Sequence, residues 1–327
     1  MILVVGGTGQ VGSAVVRGLQ GRGASVAAFL RPATDGAAVA AAGVRIARGD
    51  LRDPSSLRAV CDGVDCVVAT ANTIVPRRGE HADFDAIAGG YAELGRVARA
   101  AGVRRFVFVS VPRSFMGRGA PDFDAKARAE EALAAEGPPL LVVRPSLIME
   151  TWLPWLGSRV PLRGRDHPTL ERGFWLAQLA GRALHHSVDR FGIALLFGDG
   201  SARHAFIASD DVAEALAAAA LNRDQNAGEK QLGGPEILTW RDAADAFGRA
   251  FAMRVRSLRQ GTAVPRLLAS VTRRISPATA QIFASQAIVA TVDSPYPADT
   301  TRQLLGRDPI SVEAFLRRAS ATRSAEP

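Results

Sequence analysis

VVGGTGQVGSAVV, residues 4–16, decides the fold of this 327-residue chain. An apolar run ends at Val5, glycines recur at Gly6, Gly9 and Gly12 in a G-x-x-G-x-x-G spacing, and an amphipathic stretch from Val11 to Gln20 follows at once. Glycine is needed where a turn takes positive φ, where backbone must approach a pyrophosphate and where a helix packs on a strand, while the free N–H groups and dipole of a helix start attract phosphate. A glycine pattern alone is weak evidence. Here strand, turn and helix agree, which favours a dinucleotide-binding loop, with Thr8, Gln10 and Val11 beside the glycines, over a plain structural turn.

Outward from that loop, short apolar runs alternate with helical patterns, the signature of βαβ units and a parallel sheet. ILVV (2–5), SVAAFL (25–30), VRIA (44–47), DCVVAT (65–70), RFVFVS (105–110) and LLVVRP (140–145) read as strands apolar enough to be covered on both faces. Between them lie helical stretches at Val11–Gln20, Ser55–Cys61, Phe84–Ala101 and Asp122–Ala135, several closed by glycine. After residue 150 the rhythm changes to a stretch rich in Trp, Pro and Arg, reaching about residue 192, then a strand candidate IALLFG, further helices and a polar tail. The expected class is α/β, a doubly wound parallel Rossmann sheet.

The end of the second strand bears on cofactor choice. An Asp or Glu there would receive the ribose 2′-hydroxyl of NAD. The sequence instead has FLRP, with Arg31 where the acid would stand and no carboxylate until Asp35, which favours a 2′-phosphate and NADP; NAD stays possible, as does an exposed arginine with no ligand. In GDLRD (49–53), Asp50, followed by Leu51, can accept from the adenine amino group or cap the helix that starts near Pro54. Thr70, Ala71 and Asn72 end the fourth strand and are placed beside the adenosine ribose. Ser110 ends the fifth strand, at the edge that faces the cofactor crevice in open parallel sheets; it either bonds substrate or nicotinamide, or simply terminates the strand.

Composition narrows the class. The chain is 47% hydrophobic and 22% charged, as expected of a globular α/β enzyme. A net charge of +8 with a pI near 10.7 would suit a polyanionic partner if the cations clustered. They are scattered, the densest groups being pairs such as Arg273 with Arg274, so solvated helix faces are the expectation and no specific nucleic-acid partner is. Cys61 and Cys66 make no disulfide framework, and with no secretory signal the cytoplasm is expected. Apolar runs stop well short of the roughly 18 residues that span a bilayer. The five histidines have no metal-ligand spacing, so no metal is expected.

GGTGxVG, GDLRD, VRRFVFVS, a helix lysine, LLVVRP and FIASDDVAEAL, in this order, resemble the NmrA-like branch of the atypical short-chain dehydrogenase/reductases. GDG (198–200), QLGGPEILTWRDAADAFGRAF (231–251) and TTRQLLGRDPISVEAFLRR (300–318) continue the resemblance. It implies an NAD(P)-binding Rossmann domain over 1–150, with 193–224 returning to it, and a smaller C-terminal α/β substrate region over 151–327. It also places Arg144 and Pro145 near the nicotinamide carboxamide. The segments METWLPWLGSRV (149–160) and GFWLAQLAGRALHH (173–186) hold three of the four tryptophans. By resemblance they line the pocket of a small apolar substrate; an interdomain core and an interfacial helix are the other readings.

Lys126 is one of only two lysines in a chain with forty Lys plus Arg. In common members of the superfamily a Tyr-x-x-x-Lys pair on this helix does the proton chemistry, and here Asp122 stands four residues before the lysine. A compact ammonium can reach a ribose hydroxyl and lose its proton when desolvated, which arginine cannot. The alternative is a surface lysine paired with Glu130 at helical spacing. Two functions stay open: an NADPH-dependent oxidoreductase reducing a small carbonyl, quinone or related acceptor, with Lys126 relaying a proton and Ser110 positioning the acceptor, or a non-catalytic dinucleotide sensor or scaffold, which the missing tyrosine permits. Oligomeric state is not legible.

Overall fold

The computed structural model describes residues 1–71, 83–163, 186–222, 224, 227–274 and 276–322. The first part of the chain forms strands β1 (Ile2–Val5), β2 (Val26–Leu30), β3 (Arg45–Arg48), β4 (Cys66–Ala69), β5 (Arg105–Val109) and β6 (Leu140–Pro145). They alternate with helices α1 (Gln10–Gln20), α2 (Ala37–Ala41), α3 (Pro54–Leu57), α4 (Phe84–Ala100) and α5 (Pro121–Glu136). Later strands are β7 (Ile193–Phe197), β8 (Arg203–His204), β9 (Gly228–Leu232), β10 (Leu238–Thr239) and β11 (Arg256–Gln260). Later helices are α6 (Met149–Trp152), α7 (Ser187–Phe191), α8 (Ser209–Leu221), α9 (Trp240–Phe251), α10 (Ala263–Thr272), α11 (Pro277–Val289), α12 (Asp299–Leu305) and α13 (Val312–Ala321).

Seven strands form one parallel sheet in the order β3-β2-β1-β4-β5-β6-β9. The chain runs outward from β1 to β3, then returns to lay β4 on the other side of β1, so the strand order reverses between β1 and β4. A ligand crevice opens at the carboxyl ends at such a reversal. Alternation along the strands explains why both faces are dry. Leu3, Val5, Phe106 and Phe108 point to one side and pack on Tyr91 and Leu94 of α4 and Leu133 of α5. Ile2, Val4 and Val107 point to the other, where Val15 and Leu19 of α1 meet Val212 and Leu216 of α8. Continuous apolar strands are what burial on both faces demands.

The six N-terminal strands lie within a residue or so of their sequence-based positions. The C-terminal half is less regular than expected. β7 does not join the large sheet; it pairs in parallel with β11, while β8 pairs antiparallel with β10. Around them a second core gathers Phe197, Phe206, Trp240, Phe247 and Phe315. Within 193–224, α8 is the part that returns to cover the Rossmann sheet, and β9 then adds the seventh strand beside β6. The sequence GEKQL of β9 has no apolar run to mark it, because an edge strand needs no two-sided burial. It also carries the second lysine, Lys230, and charged residues of this kind discourage further edge pairing.

Candidate active site

The carboxyl ends of β1, β2, β4, β5 and β6 border one cavity of about 320 Å3. At its centre the loop after β1 assigns each glycine a task. Gly6 has φ +90, and a Cβ there would meet Ala71 N at 2.8 Å. A Cβ on Gly12 would lie 2.1 Å from Gly6 O, so α1 can sit against the turn only without a side chain. Gly9 is different: its Cβ would meet only Gly6 O, at 3.2 Å, and would otherwise enter open space. Gly9 N donates to Gly6 O at 2.8 Å, and Thr70 Oγ1 braces the turn by donating to Val5 O at 3.0 Å. α1 begins at this wall with no side-chain cap and no acid in its first turn, so the positive end of its dipole is not offset by a local carboxylate. Open space over Gly9 and an uncapped helix start fit a pyrophosphate. Thr8, Gln10 and Val11 complete this wall.

At one end of the cavity lie Arg31, Asp50, Leu51 and Arg52. Arg48 on β3 donates to the carbonyls of Arg31 and Thr34, which fixes the loop presenting Arg31. Asp50 accepts from Arg52 Nε at 3.0 Å and Nη2 at 2.6 Å, and this pairing holds its carboxyl below the usual range. The capping alternative for Asp50 is corrected: Asp53 caps α3, accepting from Ser55 N at 3.0 Å. Two guanidinium groups therefore stand at this end. Arg52 was within the GDLRD motif, but nothing in its spacing marked it as a wall residue. Thr70 and Ala71 line the cavity, whereas Asn72 lies outside the described residues.

The other end holds Lys126. It is not a surface lysine paired with Glu130: it is 8% exposed, its Nζ donates to Val109 O at 2.8 Å and lies 5.2 Å from the centre of the Phe108 ring. Burial pushes its ammonium pKa down, opposed by the charges of Asp122 and Glu130. Glu130 is taken by Arg144, through bonds of 2.8 and 2.5 Å, and by the Ser110 hydroxyl. Ser110 borders the cavity, yet its proton points to Glu130 and its oxygen accepts from Arg144, so this hydroxyl is committed to the protein interior.

Arg144 departs furthest from its expected place. Its side chain is wholly buried, makes a second ion pair with Glu229 at 3.0 Å and donates to Val111 O at 2.8 Å. The arginine ties β5, α5, β6 and β9 together instead of lining the cavity, and Pro145 alone of the pair reaches the wall. Val111, Phe115, Phe123, Leu147, Ile148 and Trp152 give this end its apolar surface. Trp152 also touches Phe197 edge-on at 6.1 Å, so the 149–160 segment serves both cavity and second core; Leu153 and Leu156 belong to the core alone. Trp175 lies outside the described residues. Among the described residues no group of three or more His, Cys, Asp or Glu is arranged for a metal, and no helix is long and apolar enough to cross a membrane.

A glycine cradle at the β1–β4 reversal, basic at the ribose end and apolar beyond, defines a nucleotide-binding Rossmann protein. Residues 6–154 match the model of an NAD(P)H-binding family. Among curated relatives, sterol demethylase protein B of Methylococcus capsulatus is 42% identical over 109 residues, 33% of each chain. An NAD(P)H azoreductase of Xenophilus azovorans is 41% identical over 107 residues, 33% of this chain and 34% of that one. The chain thus aligns with about a third of the length of these relatives. Solved structures match nearly end to end. A quinone oxidoreductase of Escherichia coli complexed with NADPH has TM-score 0.72 at 18% identity, covering 97% of this chain and 99% of that one. The Citrobacter sp. triphenylmethane reductase complexed with NADP(H) has TM-score 0.73 at 18% identity, covering 98% and 100%. At these identities the structures establish the shared fold.

Proposed function

We propose that the protein is an NADPH-dependent oxidoreductase that reduces a small apolar acceptor such as a quinone, an aromatic carbonyl or a related dye, and that it is an NmrA-like protein of the cytoplasm, where its two buried free thiols would persist. The observation that carries the reading is a buried lysine at the join between the glycine cradle and an apolar chamber. The bound dinucleotide would supply hydride. Gly6, Gly9, Gly12 and the start of α1 hold its phosphates, and Arg31 with Arg52 favours a 2′-phosphate. Lys126 has three donors and spends one on Val109 O, which leaves donors for a ribose hydroxyl; desolvation lets it exchange a proton. Phe115, Phe123 and Trp152 exclude water from the acceptor and present flat surfaces to it. The azo, quinone and triphenylmethane compounds named for the relatives share extended apolar conjugation, which suits such a chamber.

The test is NADPH oxidation by purified protein against quinones, aldehydes, azo compounds and triphenylmethane dyes, with NADPH affinity measured alongside. Turnover of a member of this panel is expected. Tight NADPH binding with no turnover across the panel would replace this reading with that of a dinucleotide sensor.

A further inference from the structure

Asp122 is the second residue of α5, one turn before Lys126, and lines the apolar end of the same cavity. It is 4% exposed, and its Oδ2 is buried with no hydrogen-bond partner among the described residues. Lys126 makes no ion pair with it, being directed to Val109 O. Its backbone is held in place, Asp122 N donating to Gln281 Oε1 at 2.9 Å. An ionised carboxylate with one oxygen buried and given no donor is costly. Two states relieve the cost, a protonated carboxyl or a ligand that hydrogen-bonds to it. A protonated carboxyl at a cavity wall is itself a donor with nothing yet to donate to.

We propose that Asp122 is the acid of the reaction: as a neutral carboxylic acid it hydrogen-bonds the oxygen of the bound acceptor and gives that oxygen its proton as the acceptor is reduced. The assignment rests on the oxidoreductase reading above. The electron balance is that of carbonyl reduction. The acceptor carbon gains hydride, with both electrons, from a reduced nicotinamide; the C=O π pair moves onto oxygen; that oxygen takes the Asp122 proton to become a hydroxyl. The nicotinamide is left oxidised and Asp122 ionised. The Lys126 ammonium one turn away stabilises the new carboxylate until water from the open cavity returns the proton.

The surroundings favour the acid form. Burial raises the Asp122 pKa above its ordinary value, with Lys126 as the opposing charge. The start of the α5 dipole also favours the anion, but more weakly than burial opposes it. Of the other groups facing the carboxyl, Tyr91 on α4 is a phenol committed to Ala71 O at 2.7 Å, and Gln281 on α11 is uncharged.

Asp122→Asn preserves shape but cannot deliver a proton. It is expected to lower kcat by about 100- to 10,000-fold and to abolish the pH dependence of kcat that ionisation of the acid imposes, while NADPH affinity changes little. Asp122→Glu is expected to recover part of kcat. A second readout needs no turnover: infrared spectra of the cofactor-free wild-type protein at neutral pH should contain a protonated-carboxyl band that disappears in Asp122→Asn. A wild-type enzyme that turns over while Asp122→Asn keeps its kcat and pH profile would overturn the proposal and leave the oxidoreductase reading standing, as would the absence of the infrared band. Failure of the wild type to turn over any acceptor would overturn the oxidoreductase reading and the acid role together. Because the infrared measurement can be made on wild type alone, by following the band with pH, a poorly folding variant does not remove the test.

Discussion

Gly12 and Gly9 are three residues apart, and adding one carbon to each should have opposite consequences. In Gly12→Ala the new Cβ starts 2.1 Å from Gly6 O, 2.7 Å from Gly6 C and 2.7 Å from Thr70 Oγ1. To reach the 3.4 Å of ordinary contact with that carbonyl it must retreat by about 1.3 Å. Neither neighbour gives way easily: the carbonyl belongs to the turn, and Thr70 is held to Val5 O. α1 must therefore move, although it is packed against both the sheet and α8. Overpacking of this sort costs about 1–3 kcal/mol. The displaced helix start would also lose phosphate contacts, each charge-assisted bond being worth about 1.5–3 kcal/mol. In Gly9→Ala the Cβ meets Gly6 O at 3.2 Å, a few tenths of an ångström too close, and nothing else within 4 Å. Its φ of −82 suits alanine, so the fold should barely notice while the methyl enters the phosphate space. Thermal melts of the free proteins and calorimetric titration with NADPH separate the cases. Gly12→Ala should lose both Tm and affinity; Gly9→Ala, and more strongly Gly9→Val, should keep Tm and lose at least tenfold in Kd, the equivalent of about 1.4 kcal/mol. An unchanged Tm in Gly12→Ala would refute the packing argument, and unchanged affinity in folded Gly9→Val would refute the phosphate site.

Three further outcomes can be measured directly. Arg31→Asp should weaken NADPH by at least about tenfold more than NADH, since it removes a charge-assisted contact and adds repulsion; equal losses for the two cofactors would mean that Arg31 does not read the 2′-phosphate. Lys126→Met should cut turnover by about tenfold to a thousandfold, with Lys126→Arg regaining affinity better than rate. Because burial lowers the Lys126 pKa below 10.5, the unfolded chain holds that proton more tightly, and the stability of wild type relative to Lys126→Met should rise as pH increases from the lowered pKa towards 10.5; denaturant melts across this range check the sign. His204, buried with Nδ1 2.8 Å from Ser294 Oγ and Nε2 2.9 Å from Val289 O, has its pKa pushed down to about 4 by desolvation. The unfolded chain takes up this proton first on acidification, so stability should fall between pH 6.5 and 4 by about 3 kcal/mol, a loss absent from His204→Gln in urea titrations at each pH.

Local pattern alone determined the nucleotide-binding half. A strand, three spaced glycines and a helix start are consecutive in sequence, and burial on both faces writes each central strand as an apolar run, so residues 4–16 and the strands through Pro145 were legible. Arg31 was legible too, because its place follows from counting to the end of the second strand. The edge strand β9 was not, since one exposed side removes the apolar signal, and Arg144 was misplaced for a related reason. Its neighbours in sequence say that a strand ends there; only the tertiary structure brings Glu130 from α5 and Glu229 from β9 to its guanidinium and so turns it away from the cavity. The same holds at the reactive end. Sequence spacing puts Asp122 one turn before Lys126 and Glu130 one turn after it, and leaves a solvated Lys126–Glu130 pair as an open reading. Packing of α5 against β5, α4 and α11 withdraws Asp122 and Lys126 from water, and only that desolvation makes a carboxyl with an unpartnered buried oxygen and a buried ammonium chemically distinct from exposed charges of the same helix.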